Sequence, residues 1–341
     1  MNVMHFHFGK EGGAERFFVH LANALADRGL EQAAVIRPGR SWRGDLDPSI
    51  AITESNFRNL SLDRFLLPRR ILKRAERERP DAMMAWAPRA SEFMPDYRCG
   101  IRISRLGDYP KKLDYFRNTD CIVCNTPGIA AHVRDLGWDR GLRVISNFTS
   151  EERVAPADRA AAGGAPVVMS LGRFVGRKGF HTLVEAIASV PDARLWLAGE
   201  GEEEEALKAL AAELNVTDRV RFLGWQADPR PFIAASDVFV MPSSHEPLGN
   251  VILEAWAQGR PVVSTRSEGP AWFMRDGENG LLVEISDAEG MARAIGQLVA
   301  DPGLAAQLAD GGRKTLEGQF SKKAITDAYL ALFQTPPDTF R

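Results

Sequence analysis

The chain has 341 residues, 45% of them hydrophobic and 26% charged, with a net charge of −2 at pH 7. That length suits two domains, and that balance excludes a disordered chain, a fibrous repeat and a small disulfide scaffold. The small net charge also argues against a general nucleic-acid binder, but it hides a split: residues 1–150 carry +6 and the remainder −8.

The first residues lack a basic segment followed by a long apolar one, so 3–8 read as a β-strand and not as a signal peptide. Gly12-Gly13 then opens a helix through about Arg28, with Phe17, Leu21 and Leu25 on one face. Further strands are predicted at 33–37, 82–86, 101–106, 121–125 and 143–146, with helices near 64–78, 111–117 and 127–136. No apolar run approaches the ~18 residues needed to span a bilayer. Cys99, Cys121 and Cys124 are too few for a disulfide framework, which points to a reducing cytoplasm. Cys121 and Cys124 have redox-motif spacing but fall in an apolar strand-like run, so they read as buried structural thiols.

A stretch of Ala, Gly, Pro and charged residues over 149–165 marks a domain boundary, giving domains 1–150 and 151–320. The alternation then repeats. Strands are predicted at 167–171, 194–198, 220–223, 238–241 and 262–264, and helices near 179–189, 202–214, 229–235 and 249–258. Helices near 287–299, 302–317 and 322–334 close the chain. Continuous apolar strands joined by helices imply parallel sheets covered on both faces. The expected fold is therefore two Rossmann-like, doubly wound α/β domains facing a central cleft, with the ligand site at the strands' carboxyl ends.

The segment His245-Glu246-Pro247-Leu248-Gly249-Asn250-Val251-Ile252-Leu253-Glu254-Ala255 follows a strand, turns at Pro and Gly, and opens a helix. Free backbone N–H groups and the helix dipole suit a phosphate there, and Gly249 permits close approach. Glu246 and Glu254 could accept hydrogen bonds from sugar hydroxyls. The plainer reading makes Glu246 a dipole partner and Glu254 a solvated helix residue, and this segment alone divides the two evenly. A second turn, Ser170-Leu171-Gly172-Arg173-Phe174-Val175-Gly176-Arg177-Lys178-Gly179, places Arg173 and Lys178 at the mouth of another strand–helix unit. Fixed cations at such a turn suit a pyrophosphate. A solvated basic turn is the alternative, and the pairing of the two segments in one domain favours the ligand site.

This combination resembles the retaining glycosyltransferases of the GT-B fold, family 4, group 1, which carry Gly-Arg, then Lys-Gly, then Glu-x7-Glu. Further matches are Leu197-Ala198-Gly199-Glu200-Gly201, Phe222-Leu223-Gly224-Trp225, the run from Glu254 to Val263, and Asp276-Gly277-Glu278-Asn279-Gly280-Leu281-Leu282. The resemblance is close over 165–285 and looser before it. It implies a nucleotide-sugar donor in the second domain and a glycan or lipid-linked glycan acceptor in the first. It also implies that the last helix, within about 321–341, returns to the first domain.

By the same resemblance, Arg173 and Lys178 hold the donor pyrophosphate and stabilise the departing nucleoside diphosphate. Glu246 meets the donor sugar and Glu254 the ribose. Leu248 and the backbone at Gly249, Asn250 and Val251 line phosphate or sugar, and Gly172 and Gly199–Gly201 lie beside the nucleotide. Gly12 and Gly13 match the family's glycine loop. Many members have a His after the strand at 101–106, where this chain reads Gly107-Asp108-Tyr109. Asp108 either replaces that group or occupies a surface turn. No metal and no cofactor are implied, and catalysis would rest on positioning and charge stabilisation.

His245 adjoins Glu246 and has equal claims as a sugar contact and as a surface residue. His5 and His7 share one strand face and suit packing or cleft lining better than metal ligation. Asp45 and Asp47 read as a surface loop, and 202–205 as an acidic helix start. Residues 64–79 hold Arg64, Arg69, Arg70, Lys73, Arg74, Arg77 and Arg79 against Glu76 and Glu78, with Phe65, Leu66, Leu67, Ile71 and Leu72 interleaved. Such a segment fits either an anionic membrane leaflet, making the protein peripheral on the inner face of the cytoplasmic membrane, or a helix with a solvated outer face. The acceptor expected from this reading is a bacterial surface glycan such as lipopolysaccharide core. Rival functions are a non-catalytic sugar-nucleotide-binding subunit, a nucleotide-sugar epimerase and an NAD-dependent oxidoreductase. The last lacks a G-x-G-x-x-G with a following acid after the first strand.

Overall fold

The computed structural model describes residues 1–10, 12–56 and 62–340. The chain divides into two compact units: Met1–Phe148 together with the segment from Lys322 onward, and Thr149–Ser321.

In the first unit, parallel strands β1 (Asn2–His7), β2 (Glu31–Ile36), β3 (Ala51–Glu54), β4 (Ala82–Ala85), β5 (Ile101–Leu106), β6 (Cys121–Cys124) and β7 (Gly141–Val144) form a sheet of order β3-β2-β1-β4-β5-β6-β7. Helices α1 (Gly13–Ala26), α2 (Leu62–Glu78), α3 (Pro88–Ser91) and α4 (Pro127–Asp135) connect them. Alternation along the strands sorts their side chains between two apolar layers. Val3, Ala34, Ala82 and Met84 pack with Phe17, Phe18, Leu21 and Leu25 of α1. Met4, Phe6, Val35, Met83 and Ala85 pack with Leu67, Ile71 and Ala75 of α2. Both faces are thus covered, as a parallel sheet requires.

The second unit repeats the plan with β8 (Val167–Leu171), β9 (Arg194–Ala198), β10 (Val220–Gly224), β11 (Val238–Met241), β12 (Val262–Thr265) and β13 (Leu281–Val283), in the order β10-β9-β8-β11-β12-β13. Its helices are α5 (Phe180–Ala188), α6 (Glu204–Glu213), α7 (Arg230–Ala235), α8 (Asn250–Ala257), α9 (Glu268–Phe273), α10 (Ala288–Ala300) and α11 (Pro302–Gln319). The last helix, α12 (Lys322–Phe333), packs Ile325, Tyr329 and Phe333 into the layer formed by α1. Arg28 and Asp327 add an ion pair at 2.9 Å.

Several elements differ from expectation. The region 111–117 forms only a short 3₁₀ turn, Asp114–Phe116, and the strand expected at 143–146 begins earlier, at Gly141. The strands β3 and β13 and the helices α3 and α9 had no counterpart in the sequence reading. Cys121 and Cys124 are buried, and that burial pushes both thiols up to about 12, so neither is a thiolate at neutral pH.

Candidate active site

In both sheets the strand order reverses beside the first strand of the unit. The crevice for a ligand in such a fold lies at that switch, outside the carboxyl ends of the two flanking strands. In the second unit these strands are β8 and β11. The loops leaving them are 172–179 and 242–249, the two segments singled out by their residues.

Three neighbouring loops brace one another. The Ser244 N–H donates to the Arg177 carbonyl at 2.9 Å, and the Thr265 hydroxyl donates to the Ser243 carbonyl at 2.5 Å. The Gly269 N–H donates to the Glu246 carbonyl at 2.9 Å. On this frame Lys178 Nζ and Glu246 Oε2 form an ion pair, with side chains 18% and 14% exposed. Partial burial strengthens such a pair and confines both heads to one place. Arg173 lies exposed on the same loop, and no carboxylate partner for it occurs among the described residues. One cation is thus anchored and a second is extended toward solvent.

Gly249 adopts φ +90°, a left-handed conformation that a side chain would strain, and it caps α8 without any side-chain hydrogen bond. The first turn of α8 therefore begins at bare backbone, with Asn250 and Val251 half-buried behind the buried Leu248. Glu254, one helical turn further on, is 8% exposed, so the solvated-residue reading is set aside. Gly172, Gly199 and Gly201 lie where the loops after β8 and β9 run side by side. There the Gly172 N–H donates to the Ala198 carbonyl at 3.0 Å and the Phe174 N–H to the Glu200 carbonyl at 2.9 Å.

The sequence reading missed Glu268 at the start of α9. Its Oε1 lies 2.7 Å from His245 Nδ1, and its Oε2 accepts the Glu246 N–H at 3.1 Å. Burial raises its pKa, but the hydrogen bond from its own backbone N–H, together with these two, more than offsets that, and the carboxyl falls below its usual range. The available signal was Ser267-Glu268, a capping residue and an acid where a helix could start.

The first unit has its own switch, between β1 and β4. Gly12 precedes α1 as its N-cap, Gly13 begins the helix, and the Glu15 carboxylate fills the space beneath the loop. A Cβ added at Gly9 would stand 1.5 Å from Glu15 Oε1. His7 accepts the Gly9 N–H at 3.5 Å and faces Glu15 with Nε2 at 3.8 Å. The ring is stacked against Trp42 and Trp86, at centroid distances of 5.4 and 5.8 Å. Asp108, exposed beyond β5, accepts the Tyr109 N–H on Oδ1 at 2.8 Å. Asp47 closes a turn through Ser49 at 2.6 Å.

On α2, Leu67, Ile71 and Ala75 face the sheet while Arg69, Arg70, Lys73 and Arg77 are exposed. The side chains of Arg64 and Phe65 lie outside the described residues. Arg74 is drawn into a pair with Glu78 at 2.8 Å.

Comparison with solved structures gives the class. Anabaena Alr3699/HepE in complex with UDP matches with a TM-score of 0.84 at 21% identity, covering 97% of this chain and 99% of that one. Two parallel α/β units with this strand order form the GT-B architecture of glycosyltransferases. The family model "Glycosyl transferases group 1" matches residues 152–315. Two relatives from Rhizobium meliloti (strain 1021) match nearly end to end. The lipopolysaccharide core biosynthesis glycosyltransferase LpsE is 67% identical over 99% of this chain and 100% of its own length. LpsD, described in the same words, is 52% identical over 98% of each. The chain belongs to the group 1 glycosyltransferases.

Proposed function

We propose that this protein transfers a sugar from a nucleoside-diphosphate sugar to an acceptor hydroxyl during lipopolysaccharide core assembly, with retention of configuration, as a family 4 enzyme. The observation that carries the donor site is the anchored Lys178–Glu246 pair at the β8/β11 switch, beside the bare N-terminus of α8 at Gly249. The two rhizobial relatives support the acceptor class.

In this reading Arg173 and Lys178 neutralise the diphosphate, and backbone amides at Gly249, Asn250 and Val251 add dipolar support. Glu246 and His245 orient the sugar hydroxyls against Leu248, and Glu254 takes the ribose. Gly172 and Gly199–Gly201 leave room for the nucleotide. In the first unit Gly12 and Gly13 let a loop approach the donor phosphate, and Asp108 takes the place of the family's histidine near the donor sugar. The bond from the sugar's anomeric carbon to the phosphate oxygen breaks as the bond to the acceptor oxygen forms on the same face. The acceptor proton passes to the departing phosphate oxygen. The two cations replace a metal, and no cofactor enters beyond the donor.

The acceptor reading extends to location. No helix among the described residues is long and apolar enough to cross a membrane. The exposed Arg69, Arg70, Lys73 and Arg77 of α2 suit peripheral attachment to an anionic leaflet on the cytoplasmic side, where a lipid-linked glycan is met.

The test is a thermal-shift screen of UDP-, GDP- and ADP-sugars, followed by nucleoside diphosphate release with a lipopolysaccharide-core acceptor. One donor should raise the melting temperature, release should persist in EDTA, and NMR should show the anomeric configuration unchanged. Failure of every nucleotide sugar to stabilise the protein would overturn the donor site. Inversion at the anomeric carbon would overturn the retaining mechanism.

A further inference from the structure

We propose that Glu268 is a positioning residue for the donor sugar: it sets the proton arrangement of His245 and pins the backbone of Glu246. This rests on the reading of 245–249 as the donor-sugar loop.

An ionised carboxylate can only accept hydrogen bonds. With Glu268 Oε1 2.7 Å from His245 Nδ1, the hydrogen of that bond must sit on Nδ1. A neutral imidazole carries a single N–H, so Nε2 becomes an acceptor for a donor outside the loop, such as a sugar hydroxyl. The arrangement is that of a ligating histidine oriented by a carboxylate behind it. Glu268 does the same for its neighbour by other means. Its Oε2 holds the Glu246 N–H at 3.1 Å, and the next residue, Gly269, donates to the Glu246 carbonyl at 2.9 Å. Both polar groups of the Glu246 main chain are therefore tied to the start of α9, while its side chain is tied to Lys178. A single carboxylate beside the loop thus restrains the two residues expected to read the sugar. His245 is 38% exposed at its side chain, and in water its two tautomers would otherwise exchange.

Glu268→Gln tests this at nearly constant shape. An amide offers one acceptor in place of two, so either the Glu246 N–H faces an NH₂ group or His245 must move its proton to Nε2. Three measurements follow. Nitrogen-15 NMR of the imidazoles should show His245 protonated at Nδ1 in the parent and shifted toward Nε2–H in the variant. With the donor found by the screen, kcat should fall ~10-fold, the scale seen when an orienting partner is lost. The Kd for UDP, GDP or ADP alone should stay within about two-fold, since Lys178 and Arg173 are untouched. His245→Asn should lower kcat similarly, and Glu268→Gln added to it should cost little more.

Parent-like kcat in Glu268→Gln, or an unchanged tautomer, would overturn the proposal. So would equal losses in nucleoside diphosphate affinity and melting temperature, which mark a merely structural part. If the parent itself binds no nucleoside diphosphate, the donor reading fails, and the imidazole spectrum still decides whether Glu268 sets the tautomer.

Discussion

The two sheets run through the same strand order and reverse at the same point, yet their carboxyl ends carry opposite chemistry. At the β8/β11 switch the side chains are polar and paired: Lys178 with Glu246 as ions, and the Glu268 carboxylate with His245 through a hydrogen bond. At the β1/β4 switch they are mainly aromatic, and the Glu15 carboxylate faces a His7 held neutral by burial. His5 and His7 are 0% and 1% exposed, and burial lowers their pKa values to about 4 and about 3. The positive charges of Arg105, His5 and Arg40 depress His7 further. Even the buried Arg105 lies over aromatic rings, 4.5 Å from the Phe17 centroid, and donates to the Tyr329 hydroxyl at 3.1 Å. Topology therefore locates a crevice without choosing what it binds; a few side chains on each loop do that.

The largest expected effect falls on the charged side of this contrast. Lys178→Ala or Arg173→Ala should slow turnover by ~10² to 10³, the scale for losing a preorganised charge partner. Steady-state assays of nucleoside diphosphate release measure it, and near-parental rates in both variants would erase the contrast.

The neutral side should answer to acid. A histidine with a depressed folded pKa binds its proton more readily when unfolded. Its contribution is therefore complete above pH 6.5 and drains away as the pH falls toward about 4 for His5 and about 3 for His7. At pH 4 each ring should have forfeited about 3 kcal/mol of stability. Urea unfolding between pH 7.5 and 4.5 checks the sign, and His7→Gln should show a shallower decline than the parent. An equally steep decline would mean that His7 is not held neutral.

The smallest effect concerns the surface of the first unit. Reversing Arg69, Arg70 and Lys73 to Glu should abolish sedimentation with anionic liposomes, at about 1 kcal/mol for each residue near the surface. Turnover on a soluble acceptor should be unaltered. Unchanged liposome binding would assign those charges to solvent alone.

How much of this was legible follows burial. The strands at 167–171, 194–198 and 238–241 match to the residue, because inner strands of a parallel sheet are apolar on both faces and stand out as nearly unbroken runs; 101–106 also matches, although Arg102, Ser104 and Arg105 interrupt its apolar residues. The edge strand β3 escaped because Ala51, Thr53 and Glu54 are exposed and leave no apolar run. The three residues of β13 are too short for any period to show, and α9 was masked by the Gly269-Pro270 pair inside it. Of the site, the residues in loops after long strands were found from glycine, charge and helix starts. Glu268 was not, because its partners lie 22 and 23 positions away and meet it only once β11 and β12 pair.

The return of α12 to the first unit orders events on the ribosome. Residues 149–321 make a unit whose contacts need nothing from residue 322 onward. The first unit does need that segment, although its strands are synthesised earlier. Phe18, Leu21 and Leu25 of α1 wait for Tyr329 and Phe333, and Asp327 reaches Arg28 over a sequence separation of 299. The half translated first therefore depends on residues made last, and until they arrive the apolar face of α1 lacks its cover.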